Sequence, residues 1–130
     1  MGPEREHLEV DVAIVGGGPA GLAAAIHIAQ EARRRGIDAP AVAVIEKAPE
    51  FGAHSLSGAV MDPRGLDALL PGWRDRGAPV EGDVCEEAFL FLTAKRSFRL
   101  PFVPPAMNHH GGVIVSLQRL VAWLAEGAWG

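Results

Sequence analysis

Apolar positions fall along this chain in two spacings, and the change from one to the other divides it into elements. Val12-Ala13-Ile14-Val15 is a short, continuous apolar run, closed by glycines at 16, 17, 18 and 21. Leu22 to Arg35 follows, rich in Ala, with Leu, Ile, Gln, Glu and Arg and without proline, a composition that predicts a helix. Arg33-Arg34-Arg35-Gly36 ends it with cations at the negative end of the helix dipole and a glycine at the usual C′ position. Asp38 to Pro40 make a turn, and Ala41-Val42-Ala43-Val44-Ile45 is again apolar without alternation, the pattern of a parallel strand buried on both faces. Leu66, Leu69, Leu70 and Trp73 then recur at near-helical spacing in a short segment, and Leu117, Leu120, Val121 and Leu124 form one face of a helix from Leu117 to Glu126 with Ser116 as its N-cap. The chain therefore reads as a βαβ unit (about 10–46), a loop and short-helix region (about 47–88), and a β-then-helix segment (about 89–127).

The glycines of the first unit stand at the G-x-G-x-x-G spacing, as Gly16, Gly18 and Gly21, directly after a strand and directly before a helix. Each has a task in a dinucleotide site. Gly16 lets the chain turn tightly out of the strand, Gly18 lets backbone approach a pyrophosphate, and Gly21 lets the helix pack on the sheet. The helix then offers unpaired N–H groups and the positive end of its dipole to phosphates. The second strand stops at Glu46. A carboxylate there accepts hydrogen bonds from ribose hydroxyls and repels a 2′-phosphate, which disfavours NADP.

Val12–Gln30 carries no charged residue and is mostly apolar. Length alone would suit a membrane span, but a spanning helix would not cluster glycines and Pro19 inside itself, and the βαβ reading accounts for them. A formal net charge of −4 argues against a nucleic-acid partner. Met1 to His7 has neither the basic start and apolar core of a secretion signal nor the acid-poor pattern of a transit peptide. Cys85 is the only cysteine, so no disulfide and no four-cysteine metal or iron–sulfur site can be built within the chain. No Ser–His–Asp or paired-carboxylate arrangement argues for hydrolysis, and His109-His110, in a Pro/Asn/Gly-rich stretch, reads as polar loop rather than as ligands. Arg119 reads as a solvated surface residue.

Beyond Glu46 the chain continues Lys47-Ala48-Pro49-Glu50-Phe51-Gly52-Ala53-His54-Ser55-Leu56-Ser57-Gly58-Ala59, then Met61-Asp62-Pro63. A Glu-Lys pair closing the second strand, with Gly and Ser beyond it, is usual in FAD-binding rather than NAD-binding folds. The run Gly52 to Ala59 closely resembles the electron transfer flavoprotein–ubiquinone oxidoreductases. The resemblance continues through Leu70-Pro71-Gly72-Trp73, Gly77-Ala78-Pro79-Val80, Pro101 to Pro105, Met107-Asn108-His109-His110-Gly111 and Ile114-Val115-Ser116-Leu117.

That resemblance implies an α/β, Rossmann-like FAD-binding fold of the glutathione-reductase type, present here as its N-terminal part behind a short tail (1–9). It implies an enzyme that takes electrons from reduced electron transfer flavoprotein and passes them to ubiquinone, using FAD and a 4Fe–4S cluster whose cysteines lie outside this sequence. Gly16, Gly17, Gly18, Pro19, Ala20 and Gly21 match the family's pyrophosphate loop and Glu46, with Lys47, the ribose contact. Gly52, His54, Ser55, Leu56, Ser57 and Gly58 fall beside the flavin, where serine hydroxyls and freed backbone can hydrogen-bond its heteroatoms. His54 reads either as a proton donor there or as loop packing. The family's apolar plateau, which dips into one leaflet, is expected here at Leu66, Leu69, Leu70 and Trp73. Localisation follows: the cytoplasmic face of a bacterial inner membrane, or the mitochondrial inner membrane. Because the last helix runs up to Ala128-Trp129-Gly130 without a third parallel strand, the chain is expected to be an N-terminal fragment. The nearest alternatives are the nitrogen-fixation flavoprotein electron carriers, geranylgeranyl-reductase-like flavoproteins and a non-catalytic nucleotide-binding module.

Overall fold

The computed structural model describes residues 7–127, so Ala128-Trp129-Gly130 lies outside the described residues. The chain divides into two compact units, one formed by the residues up to Ser55 together with those from Val121, the other by Leu56–Leu120.

In the first unit β1 (Val12–Val15) leads through a glycine turn into α1 (Pro19–Arg35) and on to β2 (Val42–Ile45). The two strands pair in parallel, from Val12 opposite Val42 to Val15 opposite Ile45, which is the βαβ unit that the apolar spacing predicts. Leu22, Ala25, Ile26 and Ala32 of α1 are buried, and the helix packs on both strands. Gly36, at φ 65°, ends the helix in the left-handed conformation. Its N–H donates to the Arg33 carbonyl and that of Ile37 to the Ala32 carbonyl, the paired bonds of a Schellman motif. One expectation is corrected here. β2 is half-buried rather than buried on both faces, and Val15 and Ile45 are exposed, because α1 covers one face of a two-stranded sheet.

The second unit is antiparallel. β3 (Ala59–Met61) leads into α2 (Arg64–Leu69) and β4 (Val80–Asp83); β5 (Leu90–Leu92) and β6 (Ser97–Arg99) form a hairpin; β7 (Val113–Val115) precedes α3 (Leu117–Gly127), whose residues from Val121 are counted with the first unit. β7 is central, with β3 and β4 on its two sides and a bulge between Val80 and Gly82. Its inward residues, Val113 and Val115, are fully buried. The Ser116 carbonyl accepts the first helical bond, from Leu120, so α3 begins where the N-cap reading puts it. The region expected to hold only loops and a short helix thus also contains β3 and β4, three and four residues long. Strands so short offer too few alternations to register as a period.

Candidate nucleotide site

The site is built where β1 gives way to α1. The Gly16 N–H donates to the Ile45 carbonyl at 2.8 Å, which ties the loop to the end of β2. Gly16 itself takes φ 107°, a conformation that only glycine adopts freely, so the turn out of the strand requires it. Gly18 is the N-cap of α1, in extended conformation and without a side-chain cap, and its carbonyl accepts from Leu22 at 3.0 Å. With Pro19 at the first position, which has no N–H, Ala20 and Gly21 present the unpaired donors of the first turn. A Cβ placed on Gly18 would meet no protein atom within 4 Å, so the fold does not explain that glycine; the space beside it suits a close-lying ligand. Gly21 is the opposite case. A Cβ there would collide with the Gly16 carbonyl oxygen and stand 3.2 Å from Ile14 Cγ2, so this glycine is required for the helix to close on the strand.

Glu46 is brought directly onto the loop. Its Oε2 accepts from the Gly17 N–H at 2.7 Å and its Oε1 from the Ala48 N–H at 2.8 Å. The Ala48 and Gly17 amides, joined by that of Lys47 and by the nearby His54, hold the carboxyl below the ordinary glutamate range. Each carboxylate oxygen has two lone pairs, so acceptor capacity remains for a sugar hydroxyl. The predicted residues Gly16 to Gly21, Glu46 and Lys47 therefore come together. Gly52 is buried in a tight turn at φ 86°, with Ser55 N–H on its carbonyl at 2.8 Å, and His54 reaches the Glu46 field. Leu56, Ser57 and Gly58 belong to the second unit and lie exposed just before β3.

The apolar stripe expected to enter a membrane does not face outward. Leu66, Leu70 and Trp73 are buried, Trp73 to 1% exposure, and Leu69 is half-buried. Trp73 donates its indole N–H to Asp67 at 2.6 Å and carries the Arg74 guanidinium 4.6 Å above its ring. With its polar handle satisfied inside the fold, this tryptophan is core, and the assignment of Leu66, Leu70 and Trp73 to a membrane face is corrected. Exposed apolar side chains of the unit include Leu90, Phe91, Leu92 and Phe98 of the β5–β6 hairpin and Phe102 after it, with Leu56, Val60, Met107 and Ile114 elsewhere. The sequence signal was there, two apolar segments either side of Thr93-Ala94-Lys95-Arg96, but a hairpin and a buried strand pair share it. His109 is a loop tie. Glu87 accepts from its backbone N–H at 2.8 Å and lies 2.9 Å from its Nδ1. Arg119 pairs at the surface with Glu81, at 2.9 Å.

The profile of the FAD dependent oxidoreductase family matches residues 11–128. The chain belongs to that family. It is 47% identical over 126 residues to the mitochondrial electron transfer flavoprotein–ubiquinone oxidoreductase of Dictyostelium discoideum, covering 97% of this chain and 20% of that protein. It is 45% identical over 130 residues to the Pseudomonas aeruginosa electron transfer flavoprotein–ubiquinone oxidoreductase, covering 98% and 23%. Against the probable mitochondrial enzyme of Schizosaccharomyces pombe it is 50% identical over 125 residues, covering 96% and 20%. The chain thus spans about a fifth of the length of the curated relatives it matches.

Proposed function

We propose that this chain supplies the pyrophosphate and ribose contacts of an FAD site in an oxidoreductase that passes electrons from reduced electron transfer flavoprotein to ubiquinone. The observation that carries the reading is the junction at Gly17 and Glu46: the loop that faces a pyrophosphate and the carboxylate that faces a ribose are one hydrogen-bonded structure. The amides of Ala20 and Gly21 at the positive end of α1 hold the diphosphate, and Gly18 gives it room. Glu46, ionised and anchored by backbone amides, accepts from the adenosine ribose. Gly52, His54 and Ser55, and in the other unit Leu56, Ser57 and Gly58, are the residues we assign to the flavin, whose electron affinity their backbone amides and hydroxyls would adjust. FAD, when bound, supplies the electron-carrying chemistry; the chain's residues bind it, orient it and set its surroundings.

A 4Fe–4S cluster takes four cysteine ligands, and this chain has Cys85 alone, so its residues do not fit that group and no step is assigned to it. Among the described residues no helix is long and apolar enough to cross a membrane. Contact with one leaflet, of a bacterial or a mitochondrial inner membrane, runs through the exposed apolar hairpin β5–β6, with Lys95 and Arg96 in its turn.

The test is made on the native protein. It should carry flavin with the absorbance of an oxidised flavoprotein, lose that absorbance on mixing with reduced electron transfer flavoprotein, and regain it with ubiquinone. A flavin that stays oxidised in the first step would remove the proposed donor, and a protein that binds no flavin would remove the reading altogether.

A further inference from the structure

We infer that Phe51 is a positioning residue of the glycine loop: its ring fills the side-chain space of residue 17 and seals the Gly17 N–H onto Glu46. The inference rests on the nucleotide reading of the loop and deepens it. The glycines between β1 and α1 are required for different reasons. Gly16 is fixed by its positive φ, and Gly18 meets nothing in the protein. Gly17 has no positive φ, so its backbone would accept other residues. What forbids them is a neighbour: a Cβ at 17 would stand 2.6 Å from Phe51 Cδ1, nearer still to Cε1, and 3.1 Å from the Cβ of Glu46.

Phe51 is held there by the turn it belongs to, in which Ala53 N–H donates to the Glu50 carbonyl and Gly52 takes φ 86°. The ring therefore covers Gly17, whose N–H makes the 2.7 Å bond to the Glu46 carboxylate. An apolar ring beside a charge-assisted hydrogen bond keeps water off it and strengthens it. Loop and carboxylate are then set in their ligand-ready arrangement before a ligand arrives, which lowers the ordering cost of binding. On its other side Phe51 borders a cleft of about 340 Å³ shared with Glu50, Ala122, Ala125 and Glu126, and it is only half-buried. Truncating it removes a cover from the loop rather than the centre of a core.

The test compares Gly17→Ala, Phe51→Ala, Phe51→Leu and the double variant Gly17→Ala/Phe51→Ala in the native protein, by titrating apoprotein with FAD and by the thermal midpoint of the apoprotein. Gly17→Ala should weaken FAD binding roughly tenfold or more, Phe51→Ala a few-fold, and Phe51→Leu less than Phe51→Ala. The double variant should bind FAD at least about threefold more tightly than Gly17→Ala alone, since residues in contact couple by such factors. Its midpoint should recover in parallel. Simple multiplication of the two single effects in the double variant would overturn the inference, as would an unperturbed Gly17→Ala. If the parent protein binds no FAD, the nucleotide reading fails, while the midpoints still show whether Phe51 dictates the glycine.

Discussion

Two glycines three positions apart make opposite predictions, because one is required by the fold and the other by what lies outside it. At Gly18 a new Cβ meets no protein atom within 4 Å, and the backbone is extended at φ −78° and ψ −175°, which alanine accepts. Gly18→Ala loses some N-cap preference, up to about 1 kcal/mol, and regains about 0.4–1 kcal/mol from a less flexible unfolded chain. The apoprotein should therefore melt within a degree or two of the parent. FAD binding should suffer, since a methyl group pushes the diphosphate away from charge-assisted bonds worth about 1.5–3 kcal/mol each, or at least tenfold in affinity for the loss of one. At Gly21 the same methyl collides with the Gly16 carbonyl oxygen and crowds Ile14, and the oxygen belongs to a loop tied to β2. Overpacking of this kind costs about 1–3 kcal/mol, so Gly21→Ala should lower both the melting midpoint and FAD affinity. Calorimetry of the apoprotein and flavin titration separate the two. A Gly18→Ala variant that binds FAD like the parent would show that no pyrophosphate lies against that glycine.

Other substitutions read the remaining parts. Because backbone amides depress the Glu46 pKa, the interaction it provides is complete above the ordinary glutamate pKa and is lost as pH falls through the lower folded value; Glu46→Gln should weaken FAD binding roughly tenfold to a hundredfold at neutral pH and abolish that acid dependence, read by titration across pH. Trp73→Ala should cost about 3–5 kcal/mol in denaturant unfolding, the value for a buried aromatic, and Trp73→Phe, which still folds, should leave vesicle binding unchanged. Phe91→Asp with Leu92→Asp should release the native protein from vesicles without changing its reaction with a soluble electron acceptor, since each such side chain contributes about 1.5–3 kcal/mol when fully buried. Sedimentation of that double variant with vesicles at the parent level would show that the hairpin is not the membrane contact.

The βαβ unit was legible because each of its signals is local. A continuous apolar run, a glycine spacing and a cation-rich helix end each act within a few residues of the backbone they shape, and the strands pair in parallel as expected. The attachment of Glu46 to the loop was legible only as a type of residue at a strand end; that its carboxylate bonds Gly17 depends on two segments 29 positions apart meeting in space. Phe51 carried no signal at all. It sits outside any motif, and its role comes from the volume its ring occupies rather than from its chemistry.

The stripe from Leu66 to Trp73 and the hairpin from Leu90 to Arg99 mark the limit of hydrophobic pattern as a guide. Both are rich in leucine and aromatic residues, and spacing measures how much apolar surface an element has without saying what covers it. In the first, the covering is settled by polar partners: Asp67 takes the Trp73 indole N–H, the Ala78 N–H returns to the Trp73 carbonyl at 3.2 Å, and Arg74 lies over the ring. A tryptophan at a membrane interface keeps its N–H for water and headgroups, and this one has none to give. In the second, Phe91 faces Phe98 across the strands with both rings largely exposed, and Leu92 faces Ser97, so neither side of the ribbon is packed away. A two-stranded hairpin is marginal in water by itself, and one that exposes leucines and phenylalanines on both sides gains from any apolar phase that covers them. Under the proposed function the leaflet contact therefore falls on this hairpin, while Leu66, Leu70 and Trp73 are packed inside their unit.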